Sequence, residues 1–474
     1  MASLPEYVAA AKPVPQAART AWYKSTAQTY AGIMLWFVFW QDVVSGSPTP
    51  GGTLASGLGI ALLGLLIAAL FCHFLTYLVP GLLGMKTGLP LAVVGTSTYG
   101  VAGGRFMPGF LMGALQFGWL AVNAYFTCYI VGLFFGFEMG DIARFHPVHA
   151  PMTIVFIVAA VFVGINGIQY VAKVATFVPL IPLAILLILF ARTAGGLANF
   201  HPDQLVPADG AAAAADGLGA LGILGVLLFM STYVVGFFAT AGAAGADFGM
   251  NNRDGKDVQL GGLAGVVGAT FFAGGMAMLI VAGAYGAGLV PPELQGQLNP
   301  IRLMPAIVGE GTGNVMFLLL ALAAFAPACF PAFIAANSFK QLMPNINPWF
   351  TVGIGTLVSM GLAVSGVAGQ ALDVFTVVGA SFGPICGAMM ADYLLAGRKW
   401  AGPRAGFNIA GWVSWAVGFV VGAMDLVGAN VEALSFLEVG IPSPPMAALI
   451  VGFVLYFVLA KLGLDGKTLE FNPE

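Results

Sequence analysis

Gln116-Phe117-Gly118-Trp119-Leu120-Ala121-Val122-Asn123 sits in the middle of the apolar run 108–135. The run is long enough to cross a bilayer, which takes roughly 20 residues of helix. On a helix, Gln116 lies one turn before Trp119 and Asn123 one turn after it, so two amides and an indole share one face. Lipid offers an amide no partner, so that face must look at protein or at a ligand. A flat ligand with hydrogen-bonding edges fits it.

Similar runs recur along the chain, at 28–46, 55–80, 108–135, 151–167, 174–192, 220–246, 260–289, 313–338, 348–366, 371–395, 407–428 and 444–464. The sequence is 59% hydrophobic and 8% charged, against about a quarter charged in soluble domains. The chain therefore reads as an all-α polytopic membrane protein of about 12 transmembrane helices, with the bilayer as its first partner.

Residues 1–27 carry Lys12, Arg19 and Lys24 but no apolar core, so they read as a tail and not a signal peptide. Cys72, Cys128, Cys329 and Cys386 all fall inside apolar runs, which predicts no disulfide and no metal site. The spacing of His146, His149 and His201 does not make a metal site either, and His73 reads as a packing residue. The net charge of −3 gives no indication of a nucleic-acid partner, and none is expected. With twelve spans, all of the 17 Lys and Arg except Arg144, Arg192 and Arg302 fall on the side of the N-terminus. The positive-inside rule then puts both termini in the cytoplasm of a multi-pass protein of the cell (inner) membrane.

Two spans carry signs of a break. The first turns polar at Trp40-Gln41-Asp42, and the sixth holds Gly236, Gly242 and Gly245 around Thr240. Paired broken helices are expected of inverted-repeat transporters, whose substrate sites lie at the breaks. The same glycines could equally serve close helix crossings.

Several stretches resemble the nucleobase–cation symporter family, on its bacterial cytosine/purine permease branch. They are Gly51-Gly52-Thr53-Leu54, Lys86-Thr87-Gly88-Leu89, Gln116-Phe117-Gly118-Trp119, Ala246-Asp247-Phe248, and Pro384 through Ala391-Asp392-Tyr393-Leu394 to Arg398. The resemblance implies a LeuT-type fold. Its parts would be a tail (1–27), a five-helix repeat (28–192), an inverted second repeat (220–395), two additional helices (407–464) and a C-terminal tail (465–474). It implies a secondary transporter, not an enzyme, that imports a nucleobase or related flat heterocycle by alternating access without a cofactor.

By position, the resemblance makes Trp119 the stacking residue, Gln116 its hydrogen-bonding neighbour and Phe238 the clamp from the sixth span. Thr240 stands where the family has a serine, and Gly236 falls at the expected break. Phe237 falls where another serine is common, which removes a polar contact. Gln41 faces the substrate in this scheme. Asn123 is either a substrate contact or a bond to a neighbouring helix.

The eighth span departs from the family. Ala326-Pro327-Ala328-Cys329-Phe330-Pro331 has no hydroxyl, amide or carboxylate, whereas sodium wants oxygen ligands. This favours a proton over sodium as the coupling ion, with Asn337 the nearest polar residue. Asp42 is the candidate coupling group, since carboxylates at membrane depth serve as proton relays or ligand partners. Three readings of Asp42 stand: proton coupling, a counter-charge for an amine, amino acid or thiamine-like cation, or a wet residue of an outer vestibule. Asp247 with Arg253 and Asp254 reads as a loop-ordering cluster. Asp392-Tyr393 with Arg398 and Lys399 reads as an anchor for the end of the tenth span.

Overall fold

The computed structural model describes residues 4–137, 140, 142–205 and 222–471. Asp141 and the Ala-rich run with Asp209 and Asp216 lie outside the described residues.

The first span is two helices, α1 (Thr26–Leu35) and α2 (Phe37–Ser45). Then follow α3 (Leu58–Thr87), α4 (Leu111–Phe134), α5 (His149–Asn166) and α6 (Ile168–Asn199). The second half holds α7 (Ile223–Ala243), α8 (Gly255–Gly286), α9 (Glu310–Leu342), α10 (Pro348–Val364) and α11 (Ala371–Leu395). Last come α12 (Ile409–Asn430) and α13 (Pro444–Lys461). Counting α1 and α2 together, this gives the twelve spans expected, with ends shifted by a few residues. Among the described residues, ten helices are individually long and apolar enough to cross a membrane. α10, at 17 residues, falls just short of that length.

The expected break in the first span exists, but it lies at Trp36, not near Asp42. Trp36 has φ −61° and ψ 126°, an extended conformation between two helices. No proline or glycine forces it. Beside the bend, Phe37, Phe39 and Trp40 are fully buried, and Trp40 Nε1 donates to the Leu35 carbonyl at 3.0 Å. Such irregular backbone is tolerated at membrane depth only inside protein.

The sixth span is not broken at Gly236; its helix ends at Ala243, and a short helix, Gly245–Gly249, follows after Ala244. α7 runs unbroken past Gly236. A Cβ on Gly236 would come within 2.6 Å of the Phe375 carbonyl oxygen, and one on Gly242 within 2.4 Å of Thr76 Oγ1. These glycines exist so that α7 can lie against α11 and α3, which is the close-crossing reading. Helices α3 and α8, second in each expected repeat, both carry a π-helical turn, at Cys72–Tyr77 and Leu263–Gly268. Matching irregularities at matching places support two related halves.

α11 packs on both α12 and α13, and its last turns are pinned by charge. Asp392 meets Arg404 Nη1 at 2.6 Å, accepts from the Tyr456 hydroxyl at 2.8 Å and from Ser97 Oγ at 2.7 Å. The expected partners Arg398 and Lys399 are not the ones used. The anchor is Arg404, which also reaches Asp465 at 3.1 Å. Tyr393 instead accepts a hydrogen bond from Lys86 at 2.9 Å.

The N-terminal tail lies along the same end of the bundle. Tyr7 donates to the Val101 carbonyl at 2.7 Å, Val14 N–H to Gly88 at 2.9 Å and Thr20 N–H to Asn251 at 2.8 Å.

Candidate functional site

Trp119 projects from α4 into an aromatic cage at the bundle centre. Its ring centroid lies 5.5 Å from Phe375, tilted 34°, 5.3 Å from Phe237 edge-on, and 6.1 Å from Trp36 at the break. Its Nε1 donates to Thr240 Oγ1 at 3.3 Å, joining α4 to α7. Gln116, one turn earlier, is 7% exposed and donates to its own helix at the Met112 carbonyl, 3.3 Å away. Its amide oxygen is left to accept from elsewhere, because an amide carries acceptor and donor capacity together.

Of the residues expected here, Trp119, Gln116, Thr240 and Phe237 do converge. Phe238 does not: it is fully buried and packs on Tyr30, with ring centroids 5.3 Å apart. Successive residues on a helix point about 100° apart, so only one of the Phe237–Phe238 pair can face Trp119. That ring is Phe237. Gly236 reaches the site indirectly, by letting Phe375 approach. Asn123 bonds away from it, donating to the Ala324 carbonyl on α9 at 3.2 Å and accepting from Thr127 at 3.1 Å.

Two residues of the cage escaped the sequence reading, Trp36 and Phe375. Trp36 had a signal, as an aromatic inside a run already marked for a break. Phe375 had none, because only the crossing of α7 and α11 brings it to Trp119.

Gln41 and Asp42 sit further along α2 and line a different space. It is a cavity of about 320 Å³ bounded also by Ser45, Tyr125, Asn299 and Arg302. Asp42 is half-buried there. It accepts from Ser45 at 3.1 Å, Asn299 at 3.3 Å and Gln41 at 3.3 Å. Asn337 is exposed near the end of α9, three residues before Lys340, and is not among the residues that line this cavity.

At the opposite end of α7, Asp247 accepts from the Leu91 N–H at 2.9 Å and orders the loop between α3 and α4. Burial pushes its carboxyl up to about 6, against the pull of that hydrogen bond. Arg253 does not join it. It pairs with Asp257 at 2.6 Å, while Asp254 caps the start of α8.

A broken first helix, a crossing sixth helix and a ring-lined centre match a LeuT-type multi-pass membrane fold. Comparison with solved structures agrees on the fold. The inward-facing conformation of Mhp1 superposes with a TM-score of 0.63 at 16% identity, covering 97% of this chain and 95% of that one. Mhp1, a nucleobase-cation-symport-1 family transporter, in a closed conformation with bromovinylhydantoin bound, gives 0.60 at 17% identity over 97% of each chain. A sodium-coupled sialic acid symporter, substrate-bound and outward-open, gives 0.55 at 12% identity over 98% and 93%. No family model matches the chain. In sequence, it is 28% identical over 395 residues to the cytosine permease of Escherichia coli K12, across 82% of this chain and 81% of that protein. The sequence relative and the shared fold together support the nucleobase–cation symporter family, whose members found here are permeases and transporters, not enzymes.

Proposed function

We propose that this protein is a secondary transporter that imports a nucleobase or a related flat heterocycle by alternating access. Its cytosine permease relative supports the nucleobase class. The observation that carries the reading is Trp119. It is a half-buried indole at the bundle centre, tied to Thr240 across two helices and flanked by Gln116. A base stacked on an aromatic ring gains about 1–3 kcal/mol. Phe375 now leans on that ring, so substrate would enter by displacing it, with Phe237 as the edge-on wall. Gln116 and Thr240 would read the edge of the heterocycle. In a dry site an unmatched edge is costly, which is how near-analogues would be refused.

Asp42 is the candidate coupling group and a proton the favoured ion. On α9 the stretch Ala326–Pro331 has no oxygen-bearing side chain, and Cys329 is occupied with the Phe325 carbonyl at 3.2 Å. Asn337 is exposed and stands apart from Asp42, which weakens it as a second coupling residue. The side carrying the termini would be cytoplasmic by the charge bias of its loops.

A second reading keeps the fold and changes the cargo: an amine, amino acid or thiamine-like cation with Asp42 as counter-charge. It draws on the absence of an ion pair to Asp42 among the described residues. A thermal-shift screen separates the two, since a ligand stabilises by mass action. Run in sodium and in choline buffer, it should show stabilisation by a nucleobase in both. Stabilisation by cations alone would favour the second reading, and a sodium-dependent shift would overturn proton coupling.

A further inference from the structure

The cavity beside Asp42 is separate from the Trp119 cage. Tyr125 and Tyr129, which line it, stand six and ten residues beyond Trp119 on α4, about 9 and 15 Å along the axis. A layer of rings continues from the Trp119 cage, and none of its members lines the cavity. Phe39 lies 4.9 Å from Phe237, Phe237 lies 5.2 Å from Phe375, and Phe375 lies 5.2 Å from Tyr233. The Tyr233 hydroxyl fastens this layer to α2 through the Phe39 carbonyl at 2.7 Å.

The chemistry of the cavity is that of a binding site. At about 320 Å³ it falls at the small end of the range that holds ligands. Tyr125 and Tyr129 line one side with near-parallel rings, centroids 6.2 Å apart and 24° between planes, and the Arg302 guanidinium lies over the Tyr129 ring at 5.2 Å. A carboxylate and a guanidinium share the lining without pairing: Arg302 donates to the Tyr129 hydroxyl and to the Gly140 carbonyl at 3.2 Å. Asp42 accepts only neutral donors, all at 3.1 Å or longer, and a carboxylate has about four acceptor positions. Both charges therefore keep capacity toward the cavity.

We infer that this cavity is a second ligand site, an antechamber, for a flat heterocycle carrying an exocyclic amino group and a ring carbonyl. The amino group donates to Asp42, as the cytosine amino group does to carboxylates in other settings. The carbonyl accepts from Arg302. A heterocycle with two carbonyls and no amino group meets Asp42 less well. The antechamber thus selects amino-bearing rings before they reach Trp119. The inference rests on the nucleobase reading above and adds to it a subsite and a substrate class.

Equilibrium dialysis of purified protein with labelled cytosine and labelled uracil tests it. Wild type should bind cytosine at two classes of site. Trp119→Leu should remove one and leave the other, and that residual site should hold cytosine at least about tenfold more tightly than uracil. Adding Asp42→Asn to Trp119→Leu should weaken the residual cytosine binding about tenfold. Should Trp119→Leu melt like an unfolded protein, Gln116→Leu, which perturbs only the central site, serves in its place. Residual binding indifferent to Asp42→Asn, or none left after Trp119→Leu in a folded protein, overturns the antechamber and leaves the nucleobase reading intact. A wild type that binds cytosine, uracil and adenine not at all overturns both.

Discussion

The two ends of this bundle treat their charges in opposite ways. At the end that carries the termini, Asp392 and Arg404 are both nearly fully buried and paired with each other, and they bond in addition to Tyr456, Ser97 and Asp465. At the other end, Asp42 and Arg302 share one cavity and do not pair. A paired and desolvated charge is part of the scaffold. It holds α11, α12, α13 and the loop before α4 in one arrangement. A charge left facing a cavity with only neutral partners is held ready for something that arrives. The same residue types thus serve shape at one end and traffic at the other.

The sharpest way to break this contrast is Arg404→Met. Removing one partner of a buried pair strands the other, at a cost of about 3–5 kcal/mol. Thermal melting in detergent should register that loss. Replacing Asp392 with Leu at the same time should recover much of it. A single variant that melts like wild type would mean the network is ornamental.

Gly236→Ala should cost about 1–3 kcal/mol by overpacking, since its Cβ would meet the Phe375 carbonyl at 2.6 Å. Because Phe375 abuts Trp119, ligand binding should weaken with it. Unchanged binding alongside lowered stability would detach Phe375 from the site.

Asp247 is a smaller test. Its folded carboxyl titrates at about 6 against 3.8 for the free group. Between those values the folded state holds the proton more tightly than the unfolded one, so stability falls as pH rises from about 4 to 6 and is level above. Asp247→Asn keeps an oxygen for Leu91 and removes the charge. It should be more stable than wild type at neutral pH by about 1 kcal/mol, allowing for screening of a half-exposed group. The gap should close as pH drops toward 4. A gap that persists at pH 4 would mean the charge is not its cause.

Asp42→Asn should change stability least, by less than about 1 kcal/mol, because no ion pair is lost. What it should change is transport: in proteoliposomes, uptake driven by a pH gradient should fall to the level seen without one. An unaltered pH dependence would remove the proton role from Asp42.

The membrane class, the twelve spans and the polar-aromatic face of α4 were legible in the sequence because length and polarity in lipid admit few alternatives. The position of the break was not. Asp42 marked polarity, whereas the bend falls at Trp36, where no glycine or proline gives a sign. The glycines of α7 left a break and a crossing equally open, since both use the same residue. Phe237 and Phe238 could not be told apart without knowing how α7 is rotated against α4. Arg404 was invisible as the partner of Asp392, with Arg398 and Lys399 nearer in sequence. Phe375 and the antechamber depend on which helices meet, and no local pattern encodes that.

The central claim is that a nucleobase binds on Trp119. The most direct measurement is the affinity of the tightest cytosine site in wild type and in Trp119→Leu, with melting temperatures recorded for both. The account predicts that the variant keeps its fold and loses that site by tenfold or more, in line with a stacking contribution of about 1–3 kcal/mol. A folded variant that binds cytosine as tightly as wild type would contradict it.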